Sequence, residues 1–125
     1  MRHILWVGLA GSLGAIARVV LGELIHSESG FPTATFIINL VGTFVLCFIV
    51  AGALRKLNVN QSLYDAVTTG FLGAFTTFSA VSMETVLLVE SGQLAMAILY
   101  VTLSIIGGLA AGTLGFYFGA RKVQK

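Results

Sequence analysis

The chain alternates long apolar stretches with short polar punctuation, and the stretches outrun the helices of an ordinary soluble domain. Four stand out: about 3–22, interrupted by Arg18; 31–54, 24 residues without a charge; 66–89, interrupted by Glu84; and 93–120, inside a run of 30 uncharged residues from Ser91 to Ala120. A helix needs about 20 predominantly apolar residues to cross a bilayer. The pattern therefore predicts an all-α integral membrane protein, one transmembrane domain over 1–125 with four spans. The connections, roughly 23–32, 55–64 and 90–94, leave no room for an extramembrane domain. Arg2 and the Ala15-Ile16-Ala17 triplet also fit a cleavable leader, but the glycine pattern of the first stretch suits a retained, packed span.

Periodicity inside the spans predicts which faces meet. In the first, Gly8, Gly11, Ala15 and Arg18 follow at steps of three and four, so they share one face. Small residues on such a face let membrane helices approach closely. Arg18 lies toward one end, where it either snorkels to water or sits positively charged at the mouth of an anion vestibule. The second span opens after Pro32, which suits a helix start. It carries Thr35, Asn39 and Thr43 on one stripe. An amide at position 39 is costly in hydrocarbon, so Asn39 either bonds a neighbouring helix or lines a polar path. In the fourth span Tyr100, Ser104, Gly108 and Gly112 recur every fourth residue. Gly108-x-x-x-Gly112 reads as a close-packing pattern, and Tyr100 and Ser104 as a polar track on the same face.

The third span departs from this plan. Its centre reads G-F-L-G-A-F-T-T-F-S-A-V-S-M-E, residues 70–84. Gly73, Thr76 and Thr77 are poor helix formers, which predicts a helix broken near the midplane. A break frees backbone carbonyls, and lipid tolerates them only where protein covers them or a cavity takes them in. Broken membrane helices often carry ion sites, and oxygen ligands suit a hard cation. One chain supplies too few of them, whereas two copies about a two-fold axis would close the shell. Glu84, the span's one acid, either reaches an interface or lines a polar path.

Composition agrees with the segment pattern: 57% of residues are hydrophobic and 10% charged, against about 25% charged in average domains. Cys47 is the single cysteine, so no internal disulfide is available. His3 and His26 are isolated and receive no role. The distribution of charge says more. Apart from Arg18, every basic residue (Arg2, Arg55, Lys56, Arg121, Lys122 and Lys125) falls at a terminus or in the second connection. With four spans these share one side, and the positive-inside rule makes that side cytoplasmic. No nucleophile–base pair or metal-ligand cluster suggests an enzyme, and nothing points to nucleic acid.

The motif G-A-F-T-T-F-S-x-x-S-x-E from Gly73, with Asn39 in F-I-I-N-L-V-G and Arg18 in G-S-L-G-A-I-A-R, resembles the Fluc/CrcB family of fluoride channels over the whole chain. The resemblance implies a dual-topology antiparallel dimer in the cell membrane. Two pores would pass fluoride out of the cytoplasm and relieve its toxicity. It also implies a structural sodium ion at the dimer centre, on the carbonyls of Gly73 and Thr76. The implied fluoride path comprises Asn39, Thr77, Phe78, Ser79, Glu84, Tyr100 and Ser104, with Arg18 at the vestibule. The chemistry is consistent, since a dehydrating pore must replace water's hydrogens. Amide and hydroxyl groups can donate them, and the edge of a phenylalanine ring is electropositive.

Departures from the family pattern carry information of their own. Val81 stands where the family commonly has a second phenylalanine, and Ala80 and Gly108 stand near its usual hydroxyls. A chain that inserts both ways should also lack a charge bias, and this one is strongly biased. Both observations favour a heterodimer with a homologous, oppositely inserted subunit over a homodimer. Two other readings are a small multidrug-type exporter, which would need an acid deep in the first span, and a non-transporting membrane assembly subunit. The latter leaves Asn39 and the hydroxyl-rich break unexplained.

Overall fold

The computed structural model describes residues 2–25, 30–53 and 59–123. Four segments in it are long and apolar enough to cross a membrane: His3–Leu24, Thr33–Gly52, Gln61–Glu90 and Leu94–Arg121. Among the described residues there is no strand. The chain is a multi-pass, all-α membrane protein. Its helices are α1 (Arg2–Leu24), α2 (Thr33–Phe48), α3 (Gln61–Asp65), α4 (Gly73–Phe75), α5 (Phe78–Glu90) and α6 (Leu94–Val123). Wide π-helical turns link α3 to α4 through Ala66–Leu72, and wide turns extend α2 past Phe48 until Gly52 (φ +123°) kinks the backbone. His26, Arg55, Lys56 and Lys125 lie outside the described residues.

The third span starts at Gln61, earlier than the expected 66, because polarity alone does not end a helix. Asn60 caps it, its side chain accepting from the Leu63 amide at 2.9 Å, a standard way to satisfy an orphan N–H. Asp65, in the first turns, accepts from Gln61 Nε2 at 2.9 Å and pairs with His3 at 2.8 Å. His3 is therefore not isolated: it ties the start of α1 to the start of the third span. At the far end Gly92 (φ +77°) closes α5 in a Schellman turn. Gln93 N donates to Leu88 O at 2.8 Å and Gly92 N to Val89 O at 3.0 Å, the paired pattern that frees glycine to take the left-handed position.

Packing is divided between two seams. The first joins α1 to the Ala66–Leu72 turns and α4; the second joins α2 to α6. Small residues set both distances. A Cβ on Gly70 would stand 2.5 Å from the Val7 carbonyl, and one on Gly14 would strike the Phe71 carbonyl. In the second seam, Gly115 and Gly119 lie directly on the α2 carbonyls of Phe44 and Phe48. Two expected packing glycines therefore change. Among the described residues a Cβ on Gly8 or Gly108 would meet nothing within 4 Å, while one on Gly14, Gly115 or Gly119 would run into a neighbouring helix's backbone. A step of three or four tells which residues share a face, not which of two adjacent faces meets a neighbour.

The buried core is small. Leu88, Ala97 and the fully enclosed Tyr100 form a cluster with Phe31, Phe36, Val81 and Met96. Phe31 presents its ring at a right angle to Tyr100, centroids 5.3 Å apart. Ile38, Leu72 and Phe75 are buried apart from this cluster, while many large apolar side chains face outward, from Ile4, Leu9 and Leu13 on α1 to Ile98, Ile105 and Leu109 on α6, as suits helices bathed in lipid.

Candidate functional site

The third span is broken at Thr76 and Thr77. Both are extended (φ −81°, ψ 152° and φ −150°, ψ 130°) between the end of α4 and the start of α5. The sequence prepares the break. Thr68 Oγ1 donates back to Tyr64 O at 2.8 Å and Thr76 Oγ1 to Leu72 O at 3.0 Å. Such hydroxyls compete with amides for i−4 carbonyls and bend helices. Gly42 of α2 supplies the room, since a Cβ there would collide with the Thr76 methyl. Thr77 then restarts the helix as its cap, accepting from Ala80 N at 3.2 Å.

Two side chains from earlier spans hold the opened backbone. Asn39 grips the Thr77 peptide from both sides: its Nδ2 donates to Thr77 O at 2.9 Å, and Thr77 N donates to its Oδ1 at 2.8 Å. The amide orientation follows from the pairing, because Thr77 N must meet an oxygen. One hydrogen of the amide NH2 is left over from this clamp. Arg18 Nε donates to Ala74 O at 3.3 Å, so this half-buried side chain points at the end of α4. Among the described residues no donor reaches the carbonyls of Gly73 or Thr76. Nor is there a cluster of three or more His, Cys, Asp or Glu among them that would hold a metal.

A cavity of about 620 Å³ opens beside the break, bordered by α2, α5 and α6. It brings together Asn39, Gly73, Thr76, Thr77, Phe78 and Ser104 from the sequence reading. It also adds Thr43, Ser82 and Thr85, which that reading did not place in the site. Phe78 is 84% exposed at its edge. Ser104 Oγ is buried without a hydrogen-bond partner among the described residues, a costly state for a hydroxyl. Val81 and Gly108 line the same wall, where a ring and a hydroxyl were expected from the family pattern.

Glu84 and Tyr100 lie elsewhere. Thr35 Oγ1 donates to Glu84 Oε1 and Tyr100 OH to Glu84 Oε2, both at 2.6 Å. Three spans thus converge on one carboxyl group, whose two oxygens each accept one hydrogen bond. Glu84 borders a second hollow of about 370 Å³ with Leu87, Leu88 and Ser91. The Tyr100 cluster stands between the two hollows: Leu88 faces one, Phe36 and Val81 the other. Ser79 borders neither hollow and bonds Thr77 Oγ1 at 3.0 Å. Thr35 was legible only as a member of the Thr35/Asn39/Thr43 stripe; its spacing to Asn39 was the available signal.

The comparisons with known proteins match this architecture along nearly the whole chain. The family model described as "CrcB-like protein, Camphor Resistance (CrcB)" matches residues 5–116. A Bacillus cereus protein named Fluoride-specific ion channel FluC 1 is 40% identical over 129 residues, covering 100% of this chain and 94% of its own. The Bacillus anthracis protein of the same name is 43% identical over 130 residues, with 100% and 94% coverage. A Listeria innocua protein, Fluoride-specific ion channel FluC 2, is 37% identical over 123 residues, with 98% and 95% coverage. With four spans, a break held by Asn39 and a match of this extent, the chain belongs to the CrcB family.

Proposed function

We propose that this chain forms a passive, fluoride-selective pathway that exports fluoride from the cytoplasm. The observation that carries the reading is the cavity at the break, where an amide, several hydroxyls and the exposed Phe78 border one apolar hollow. The relatives' names support it. A small, strongly hydrated anion exchanges water for weak donors there, and Asn39, Thr77 and Ser104 supply them. Glu84 and Tyr100 supply a second polar group of the route, on the far side of the cluster around Tyr100, Ser79 flanks its start, and Arg18 lies behind the break. The multidrug-type exporter fits less well, because the acid of α1, Glu23, lies near its end.

The active unit in this reading is an antiparallel pair. Phe78 and the hydroxyls of Ser79 and Ser82 are exposed on one chain, and a second subunit would cover them. The charge bias supports termini on the cytoplasmic side, and hence a homologous partner inserted the other way, which would supply the ring and hydroxyls missing at Val81, Ala80 and Gly108. The carbonyls of Gly73 and Thr76 suit a sodium ion on the pair's axis, since they are oxygen donors without a competing hydrogen bond among the described residues. Bound there, the ion would contribute positive charge near the anion's route.

Liposomes carrying the chain, alone and with a homologue, test the reading by fluoride against chloride efflux. Passive flux with fluoride strongly preferred supports it. Efflux of neither ion in either setting would sink it. Full flux from a self-pair in mixed orientation would remove the heterodimer alone.

A further inference from the structure

We infer that Arg18 acts as a backbone-positioning residue of the pathway, holding the break through its Nε–H, and not as an attractor of anions. The inference rests on the fluoride reading above and specifies a part of it. In an unbroken helix the Ala74 carbonyl would accept from the amide of Phe78, four residues on. The extended Thr76 and Thr77 remove that partner. The orphan carbonyl sits at the C-terminal, negative end of a helical arm, where a cation is favoured. Arg18 is the group that reaches it, at 3.3 Å.

The reach is built into the first seam. Gly11 and Gly14 bring α1 against Gly70 and Phe71, and Arg18 lies one turn beyond Gly14 on the same helix. Among the described residues no carboxylate pairs with Arg18. Its Nε–H goes to this carbonyl.

The carbonyls of the break are thereby sorted. Leu72 O takes Thr76 N and Thr76 Oγ1, Ala74 O takes Arg18, and Thr77 O takes Asn39. Among the described residues Gly73, Phe75 and Thr76 are left without such a donor. Without Arg18, Ala74 O would compete for whatever donor or cation serves its neighbours, and the arm would lose the anchor that sets its direction.

Side-chain geometry offers a direct test. Glutamine places an amide nitrogen where arginine has Nε, without the charge; methionine has similar length but neither donor nor charge. Fluoride efflux is measured for Arg18→Gln and Arg18→Met in whichever assembly, self-paired or with a homologue, carries fluoride with the native chain. Each is read at about 0.02 M and about 0.5 M salt, a range over which the Debye length shortens several-fold. The expected result is that Arg18→Met loses flux tenfold or more, by the same factor at both salts, and that Arg18→Gln restores at least half of the native rate. Three results overturn the inference: Arg18→Gln as poor as Arg18→Met, Arg18→Met near native, or a deficit that vanishes at high salt. A native assembly that carries no fluoride overturns the proposed function instead.

Discussion

The two arms of the third span are built from similar residues and treated differently by the fold. In the first, residues 61–75, Ala66, Thr68, Gly70, Leu72 and Phe75 are buried within the chain. In the second, α5, Leu88 alone is buried, while Phe78, Met83, Val86 and Leu87 stand half exposed or more. One arm is finished by its own chain. The other is finished by something outside it: lipid on some faces and, in the pairing proposed here, a second subunit on the face with Phe78, Ser79 and Ser82. The difference separates residues that hold the break from residues that use it. Substitutions in the first group should damage the fold, and with it the flux. Those in the second should damage flux and leave the chain intact.

Asn39→Ala should show the largest effect on the fold. It strips both partners from the Thr77 peptide, and each unsatisfied group costs about 1–3 kcal/mol. The expected outcome is loss of a monodisperse species in detergent chromatography, together with loss of fluoride efflux. Asn39→Asp keeps the acceptor for Thr77 N and should fall between native and alanine.

Gly70→Val comes next. Its side chain would enter the Val7 carbonyl, and overpacking of this kind costs about 1–3 kcal/mol. Melting of the purified protein should drop by several degrees, whereas Gly8→Val should leave it unchanged. Equal effects at the two positions would mean that the close seam is not where the structure has it.

Tyr100→Phe removes one of the two donors to Glu84 and should cost about 1–3 kcal/mol, the usual range for leaving a buried acceptor unsatisfied. The aromatic packing on Phe31 remains, so the loss should appear in thermal stability without gross misfolding. Phe78→Ile should perturb the fold least, within about 0.5 kcal/mol for so exposed a position. Fluoride efflux should nonetheless fall tenfold or more. A Phe78→Ile protein that conducts normally would erase the contrast between the arms.

How much of this was legible beforehand follows from the physics of each feature. Uncharged runs mark spans because charge is excluded from hydrocarbon, and the four spans emerged with end shifts of a few residues. The break was legible because Gly73, Thr76 and Thr77 weaken a helix locally. The stripe of Thr35, Asn39 and Thr43 was legible as a stripe. What each member bonds was not, since Glu84 and Thr77 lie 49 and 38 residues away along the chain. The direction of Arg18 was equally hidden, because periodicity gives a face and not a target. Tyr100 and Ser104 share a face, yet one is enclosed by the core and the other borders the cavity; the ring of Phe31 makes that distinction.

The clamp on Thr77 also says something about how the chain is made. Both side chains that satisfy the opened backbone, Arg18 and Asn39, belong to spans that precede it. Synthesis therefore delivers the donors first and the exposed carbonyls afterwards. A third span that arrived in the bilayer before its predecessors would carry bare peptide groups into hydrocarbon, so the order of the spans along the chain is itself a safeguard during insertion.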